Sequence, residues 1–429
     1  MRIERPTTIL ALLTALNFLN YVDRYLVAAV SPAFQVDLKL SSFQTGLSIS
    51  AFMVGYFVTS PLFGWLGDRA RMPGAKPKPW ATRTALIGFG VIVWSLATAL
   101  SGLAQGATSL VLARIAVGIG EASYATVAPT IIDDLAPPAR RNKWLAIFYL
   151  AIPVGSALGY LLGGFLEHNY GWRPAFFVAG GPGVLLALTV FFIAEPAVAD
   201  VTAVAAMVEA KEKPKGAFAA LSRAPIYVAC VLGSCAYTFA LGGFAAWAPK
   251  FLFDVHKLAL DKADFGFGVV AVLAGILGTV IGGIVADRGL PKDVSDDVRV
   301  RRYMKFCAIA TALAFPASVM VLYAGSPTAF FAWIFLCETA LFASTSPMSA
   351  IVLAAVPRPL RTTAMAVSIF AMHALGDFPS PPLVGKLTDV FGSMRSAMLI
   401  LPAAILVCAI VWGVGARMKV GAERTTLEA

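Results

Sequence analysis

The sequence has little charge for its length: Asp, Glu, Lys and Arg make up 14% of 429 residues, against 59% hydrophobic. A soluble chain of this size needs far more polar surface, so the solvent it is built for is a bilayer. Histidine is scarce, with three in all. There is no His-Glu-x-x-His, and no Tyr-Asp to partner Gly376-Asp377, which argues against the zinc and aspartyl intramembrane proteases and against an enzyme of either kind. No Gly-x-x-x-x-Gly-Lys-Ser/Thr run occurs, the only Gly-Lys being Gly385-Lys386, so a nucleotide-driven pump is excluded and no cofactor is called for. The five cysteines, Cys230, Cys235, Cys307, Cys337 and Cys408, all fall in apolar runs without the spacing of a disulfide framework or a metal site. Period-2 alternation is missing, which excludes a barrel. The first apolar run continues through Asn17, Asn20, Asp23 and Arg24 without a small-residue cleavage site, so it reads as a retained span and not a signal peptide.

What is present is a series of apolar stretches, each close to the roughly 20 residues that cross a hydrocarbon core. Twelve are read, near residues 7–34, 44–66, 82–104, 107–132, 141–166, 172–194, 225–252, 263–286, 303–324, 328–355, 359–386 and 393–416. Only helices can satisfy their backbone within lipid, so the expected fold is an all-α membrane protein. The net charge of +10 does not form a basic face, which argues against nucleic acid. Counting residues at span ends with the adjoining loop, the N-terminus, the even-to-odd loops and the C-terminus hold 25 Lys and Arg, the opposite loops 7, and the spans only Arg24 and Arg114. The bias places both termini in the cytoplasm, and a plasma or bacterial inner membrane is expected.

The chain repeats itself. Gly64-Trp-Leu-Gly-Asp68-Arg69 after the second span returns as Gly283-Ile-Val-Ala-Asp287-Arg288 after the eighth, 219 residues later. Pro138-Ala-Arg140 and Pro359-Leu-Arg361 lie 221 apart. The expected organisation is a six-helix bundle over 1–194, a charged cytoplasmic linker over 195–222 with Lys211, Glu212, Lys213 and Lys215, and a second six-helix bundle over 223–429. Such duplication predicts two pseudo-symmetric bundles, a substrate site at the midplane between them, and alternating access.

The two Gly-x-x-x-Asp-Arg loops resemble the signature cytoplasmic loop of the major facilitator superfamily, and the likeness extends to the twelve-span plan. Gly64 is expected to allow a close helix approach. Asp68 and Arg69 are expected to latch the cytoplasmic face, with Asp133, Asp134, Arg140 and Arg141 as candidate partners and Gly283, Asp287 and Arg288 as the second copy. The plain alternative is a solvated loop that serves topology alone.

Four charges inside spans stand out, because each costs roughly 2.5–3.5 kcal/mol on insertion scales unless compensated. They are Asp23 and Arg24 in the first span and Arg114 and Glu121 in the fourth. Arg114 and Glu121, seven apart, share a helix face. They are expected to form a buried ion-pair network in which proton uptake by a carboxylate frees Arg114 for an anionic substrate group. A permanent structural salt bridge is the alternative. Glu338 and Asp377 are further intramembrane acids, either titrating or satisfied by neighbouring helices, and His373 can pair with Asp377 or simply pack. Asn20, Tyr21, Tyr25, Tyr124, Tyr149, Tyr160, Tyr237, Phe239, Phe244 and Trp247 are candidates to line a cavity, or equally to pack. The glycines Gly155, Gly159, Gly163 and Gly164 resemble the series of antiporter-type members, and close helix packing explains them as well.

A closer resemblance is carried by Arg114-Ile-Ala-Val-Gly-Ile-Gly-Glu121-Ala-Ser-Tyr124, by Asn20-Tyr21-Val-Asp23-Arg24, and by His373-Ala-Leu-Gly376-Asp377-Phe378-Pro379-Ser380-Pro381. These resemble the Spinster branch, with Phe378-Pro379 where small residues are more usual. Spinster relatives are implicated in moving sphingolipids, sphingosine 1-phosphate and lysophospholipids. The resemblance therefore implies an amphiphilic lipid-like substrate with an anionic head; with no nucleotide motif and with the intramembrane charges, the expected protein is a secondary transporter coupled to protons, with protons and membrane lipids as its other partners. It maps the family's acid of span 1 and Arg and Glu of span 4 onto Asp23, Arg114 and Glu121. A monomer is expected, and export of small drug-like compounds is the alternative function.

Overall fold

The computed structural model describes residues 3–71, 78–137, 140–195, 217–288, 295–356 and 360–418. Nearly all of them are helical. The extended pairing among them is a parallel bridge in which the Ile3 N–H donates to the Phe192 carbonyl at 2.7 Å and the Ala194 N–H to the Ile3 carbonyl at 3.0 Å. The helices gather into two compact units, Met1–Glu212 with Ala259–Gly268, and Lys213–Leu258 with Val269–Ala429.

In the first unit the helices are α1 (Pro6–Ala29), α2 (Ser31–Asp37), α3 (Ser42–Ser50), α4 (Phe52–Arg71), α5 (Arg83–Ser101), α6 (Ala107–Leu135), α7 (Arg141–Tyr170) and α8 (Trp172–Val190). Ser41 starts α3 with a capping box, its hydroxyl taking the Gln44 N–H while the Gln44 side chain takes the Ser41 N–H. Thr82 caps α5 through the Ala85 N–H. Gly171, at φ +84°, makes the turn between α7 and α8 that a side chain would strain. Small residues let the helices approach. A Cβ added at Gly118 would collide with the Phe52 carbonyl, and one at Gly55 with the Ile115 carbonyl. A Cβ at Gly155 would lie 2.6 Å from the Phe18 carbonyl oxygen, and one at Gly159 2.7 Å from that of Val22, so Gly155, Gly159 and Gly163 of α7 are where α1 lies against it. The core between these crossings holds Leu13, Leu16, Val91, Trp94, Val117, Tyr124 and Phe148.

The second unit contains α9 (Ala217–Ser222), α10 (Pro225–His256), most of α11 (Leu260–Asp287), α12 (Asp296–Tyr323), α13 (Pro327–Phe342), α14 (Thr345–Ala354), α15 (Arg361–Met372), a π-helical segment (His373–Asp377), α16 (Ser380–Phe391), α17 (Met394–Met398) and α18 (Ile400–Gly415). The first residues of α11 pack with the first unit. Cys230, Cys235, Cys307, Cys337 and Cys408 are free and buried, where they serve as small apolar side chains.

Five stretches expected as single spans are interrupted, the first at Val30 between α1 and α2 and the twelfth at Leu399 between α17 and α18. The second is divided at Ala51 into α3 and α4. The tenth breaks between α13 and α14, where Pro347 has no N–H to return to the Ala343 carbonyl and Gly282 packs against that carbonyl. The eleventh is broken by the π segment and the turn before Ser380. With α3–α4, α13–α14 and α17–α18 each taken as one continuous helix, ten helices among the described residues are long and apolar enough to cross a membrane. The first stretch, diluted by Asn17, Asn20, Asp23 and Arg24, and the broken eleventh are not among them. Apart from Glu195 and α9, the expected linker lies outside the described residues, as do Pro138, Ala139 and Pro359 of the second repeat match.

Candidate functional site

α1 and α6 bring four charges together inside the first unit. The Arg24 side chain reaches Glu121 on α6, Nη2 lying 2.7 Å and Nε 2.9 Å from Oε2. Arg114 on α6 reaches back to Asp23 on α1, Nη1 to Oδ1 at 3.3 Å. The pairs cross because neighbours Asp23 and Arg24 take partners seven residues, about two turns, apart on α6. Asp23, Arg114 and Glu121 are almost fully enclosed, at 1%, 0% and 0% exposure, and Arg24 is partly open.

Two residues with no mark in the sequence complete the cluster. Thr98 on α5 donates its hydroxyl to Asp23 Oδ2 at 2.8 Å. Phe52, at the start of α4 beside the Ala51 break, has the Arg24 guanidinium 4.9 Å and the Arg114 guanidinium 5.9 Å from its ring centroid, a distance at which the ring face favours cations. Tyr21 and Tyr56 add rings 5.1 Å and 5.7 Å from Arg24. Hydrogen-bonding capacity is left over: Arg114 Nε and Nη2, Glu121 Oε1 and Asn20 Nδ2 are buried without a partner. Unused donors on a buried guanidinium are costly, and a bound anion would satisfy them.

The aromatic candidates divide by environment. Tyr124 is closed in, its hydroxyl donating to the Leu13 carbonyl and its ring against Trp94 at 5.5 Å. Tyr160 packs between Tyr25 at 5.3 Å and Phe267 at 5.2 Å. Tyr149 is exposed and Tyr21 half-buried. In the second unit Tyr237 lies against Trp412, its hydroxyl 3.4 Å from Thr345 Oγ1. Phe244 is buried, as is Trp247, whose indole N–H donates to the Pro381 carbonyl at 3.0 Å. Glu338 is buried with Oε2 unpartnered. His373 and Asp377, at the two ends of the π segment, pair at 2.9 Å. A side chain at Gly376 would collide with Thr238.

Around the loops both signature glycines are open, and Asp134 has Arg83 beside it. A Cβ added at Gly64 meets nothing within 4 Å among the described residues, and the same holds at Gly283. The close approach expected at Gly64 is therefore not made here; α4 and α6 cross earlier, at Gly55 and Gly118. Arg69 lies over its neighbour Trp65, at 5.4 Å. Asp134 pairs with Arg83, an arginine at the start of α5 that is 1% exposed, at 2.5 Å. Arg83 also holds Glu195 at 2.7 Å, and Glu195 takes the Thr84 N–H and hydroxyl as well. Arg140 is exposed, and the Arg141 side chain lies outside the described residues. In the second copy Asp287 accepts from the Tyr303 hydroxyl, and Arg302 donates to the carbonyls of Ala286 and Arg288. Arg302 follows Arg83 by 219 residues, the offset that also relates Asp287 to Asp68.

Comparison with known proteins follows the same lines. A family model described as Major Facilitator Superfamily matches residues 13–381. A probable sphingolipid transporter, spinster homolog 1, of Arabidopsis thaliana is 31% identical over 97% of this chain and 90% of its own length. A sphingosine-1-phosphate transporter of Danio rerio is 31% identical over 91% of this chain and 77% of its own. The crystal structure of a bacterial homolog of the human lysosomal transporter Spinster, 22% identical, superposes with a TM-score of 0.76 over 99% of this chain and 98% of that one, a likeness of fold. With ten apolar helices of spanning length and these relatives, the chain is an integral, multi-pass membrane protein that belongs to the Spinster branch of the major facilitator superfamily of transporters.

Proposed function

We propose that the protein is a proton-coupled carrier of a single-chain lipid with an anionic head, of the sphingoid phosphate or lysophospholipid class, working by alternating access between bundles 1–194 and 223–429. The observation that carries this reading is Arg114: fully enclosed, bonded to Asp23 through one nitrogen, with Nε and Nη2 unused. In the proposed cycle a proton taken by Asp23 releases Arg114 to the substrate's phosphate, and a proton taken by Glu121 releases Arg24. Protonation and substrate charge then compensate one another within the same enclosed space. Tyr21 and the ring of Phe52 offer apolar faces beside these charges for the start of an acyl chain. The relatives from Arabidopsis and Danio, named for sphingolipid and sphingosine-1-phosphate, support the lipid class. Glu338 and the His373–Asp377 pair are proposed as polar groups of the second bundle's share of the path. Asp68, Arg69, Asp133, Asp287 and Arg288 are proposed as its cytoplasmic latch.

The test is uptake of radiolabelled sphingosine 1-phosphate and lysophospholipid into proteoliposomes with and without an imposed pH gradient. Wild-type uptake is expected to saturate and to follow the gradient. Arg114→Lys is expected to weaken uptake about tenfold or more, since hydrogen bonds to a charged group contribute roughly 1.5–3 kcal/mol. Glu121→Gln is expected to bind substrate and lose the response to the gradient. Gradient-driven uptake of wild-type size in Glu121→Gln would reduce the cluster to a structural salt bridge.

A further inference from the structure

Asp264, in the first turns of α11, is 0% exposed, and neither of its carboxylate oxygens has a hydrogen-bond partner. It faces α7 at Gly164, where an added Cβ would lie 2.8 Å from Asp264 Oδ2 and 3.0 Å from its Cβ. The same contact continues at Phe267, whose ring meets Tyr160 at 5.2 Å, and at Gly268, 3.3 Å from the Ala157 carbonyl oxygen as an added Cβ would measure it. The charged and titratable groups around Asp264 are Glu167 and His168 on α7 and Asp261 and Lys262 on its own helix; Glu167 and Asp261 add negative charge next to it. An ionised carboxylate held there would lack every donor and face two like charges, an arrangement that costs several kcal/mol. A protonated one would be a small, neutral side chain packed on a glycine.

Beside this contact lies an open cavity of about 450 Å³, lined by Leu161, Phe165, His168, Asn169, Asp261, Lys262 and Phe265. Asp261 is three residues before Asp264 and His168 four after Gly164, so both stand on the faces that make the contact. Asp261 Oδ1 is also buried without a partner. The cavity therefore brings polar, proton-exchanging side chains to within a helical turn of the enclosed carboxyl.

We propose that Asp264 is a proton-binding site separate from the Asp23–Glu121 cluster, whose protonated form docks residues 259–268 on α7 and whose ionised form releases them, with the His168–Asp261 cavity as its route to solvent. Docking is at full strength while the carboxyl is protonated in both the docked and the parted forms. As pH rises past the range of the parted carboxyl, the docked-to-parted ratio falls, by up to about tenfold per pH unit for a single proton.

The experiment places spin labels at Phe165→Cys and Phe265→Cys, both exposed positions on the cavity, in the full chain in lipid nanodiscs; the native cysteines are buried and stay unlabelled. A short-distance population that shrinks as pH rises is expected in the otherwise wild-type protein. Asp264→Asn, which keeps the shape and removes the charge, is expected to hold the short distance across the pH range. Gly164→Ala, crowding the carboxyl, is expected to reduce the short population at every pH, and it serves as well if Asp264→Asn does not fold. Glu121→Gln is expected to keep the wild-type pH response, which separates this site from the proposed transport cluster. A pH-independent distance in the wild type, an unaltered response in Asp264→Asn, an unreduced short population in Gly164→Ala, or a response abolished by Glu121→Gln would each overturn the proposal.

Discussion

Among single residues, the buried arginines separate into two kinds. Arg83 is saturated: Asp134 and Glu195 flank it, and Glu195 is held in turn by Thr84. Arg114 has spare donors. A saturated buried ion pair is a structural element, and removing one partner leaves an uncompensated charge that costs about 3–5 kcal/mol. Arg83→Met is therefore expected to lower the detergent thermal-unfolding temperature sharply, with Arg83→Met combined with Asp134→Asn losing less than the sum of the two single changes. Additive losses would show that the pair is not coupled. The sequence displays the Arg114 kind and hides the Arg83 kind for one physical reason. A charge in the middle of an apolar run has to be explained, whereas one at the start of a run, such as Arg83 or Asp264, looks like the ordinary boundary of a span. Opposite charge at comparable depth pointed Asp23 toward Arg114, whereas the partner of Glu121, which is Arg24, was not legible because it depends on the rotation of α1 about its axis. Thr98 carried no signal, being one hydroxyl in a helix that buries several.

At the level of elements, the glycines report where helices touch in this structure. Gly118 stands against the Phe52 carbonyl, so Gly118→Ala forces α4 and α6 apart, and overpacking of that kind costs about 1–3 kcal/mol. Gly64 meets nothing within 4 Å among the described residues, so Gly64→Ala is expected to leave thermal stability unchanged. If the signature loop closes against another helix in a different state of the cycle, Gly64→Ala will slow transport while melting like the wild type. Equal stability with equal transport would assign the loop to topology alone. Helix existence was plain from hydropathy, and helix continuity was not. The break at Ala343–Ser344 falls four residues before Pro347, whose missing N–H leaves the Ala343 carbonyl unbonded, yet Pro61, Pro129, Pro153, Pro182 and Pro249 sit inside helices that continue. At the broken helix the Ala343 carbonyl, which Pro347 cannot bond, lies close against Gly282, where a side chain would collide with it. That neighbour is distant in sequence.

Across the molecule, four charges kept in one enclosed cluster of a membrane protein call for a physical reason. Replacing a buried ion pair with neutral groups of similar volume is often neutral or stabilising, so stability alone gives no reason to retain Asp23 with Arg114. Function does, if the pair must open and close as protons and substrate exchange. The two demands can be pulled apart by experiment. Arg114→Met alone strands a buried carboxylate and is expected to reduce thermal stability by about 3–5 kcal/mol. Adding Asp23→Asn removes the stranded charge and is expected to recover most of that loss, while Thr98 keeps a hydrogen-bond acceptor in the new amide oxygen. Uptake of an anionic lipid by the double variant should stay near background, since neither the proton acceptor nor the phosphate partner is restored. Thermal unfolding and proteoliposome uptake measured on the same preparations check both halves. Uptake that recovers along with stability would mean the cluster is scaffold, and the carrier would have to bind its lipid and its protons elsewhere.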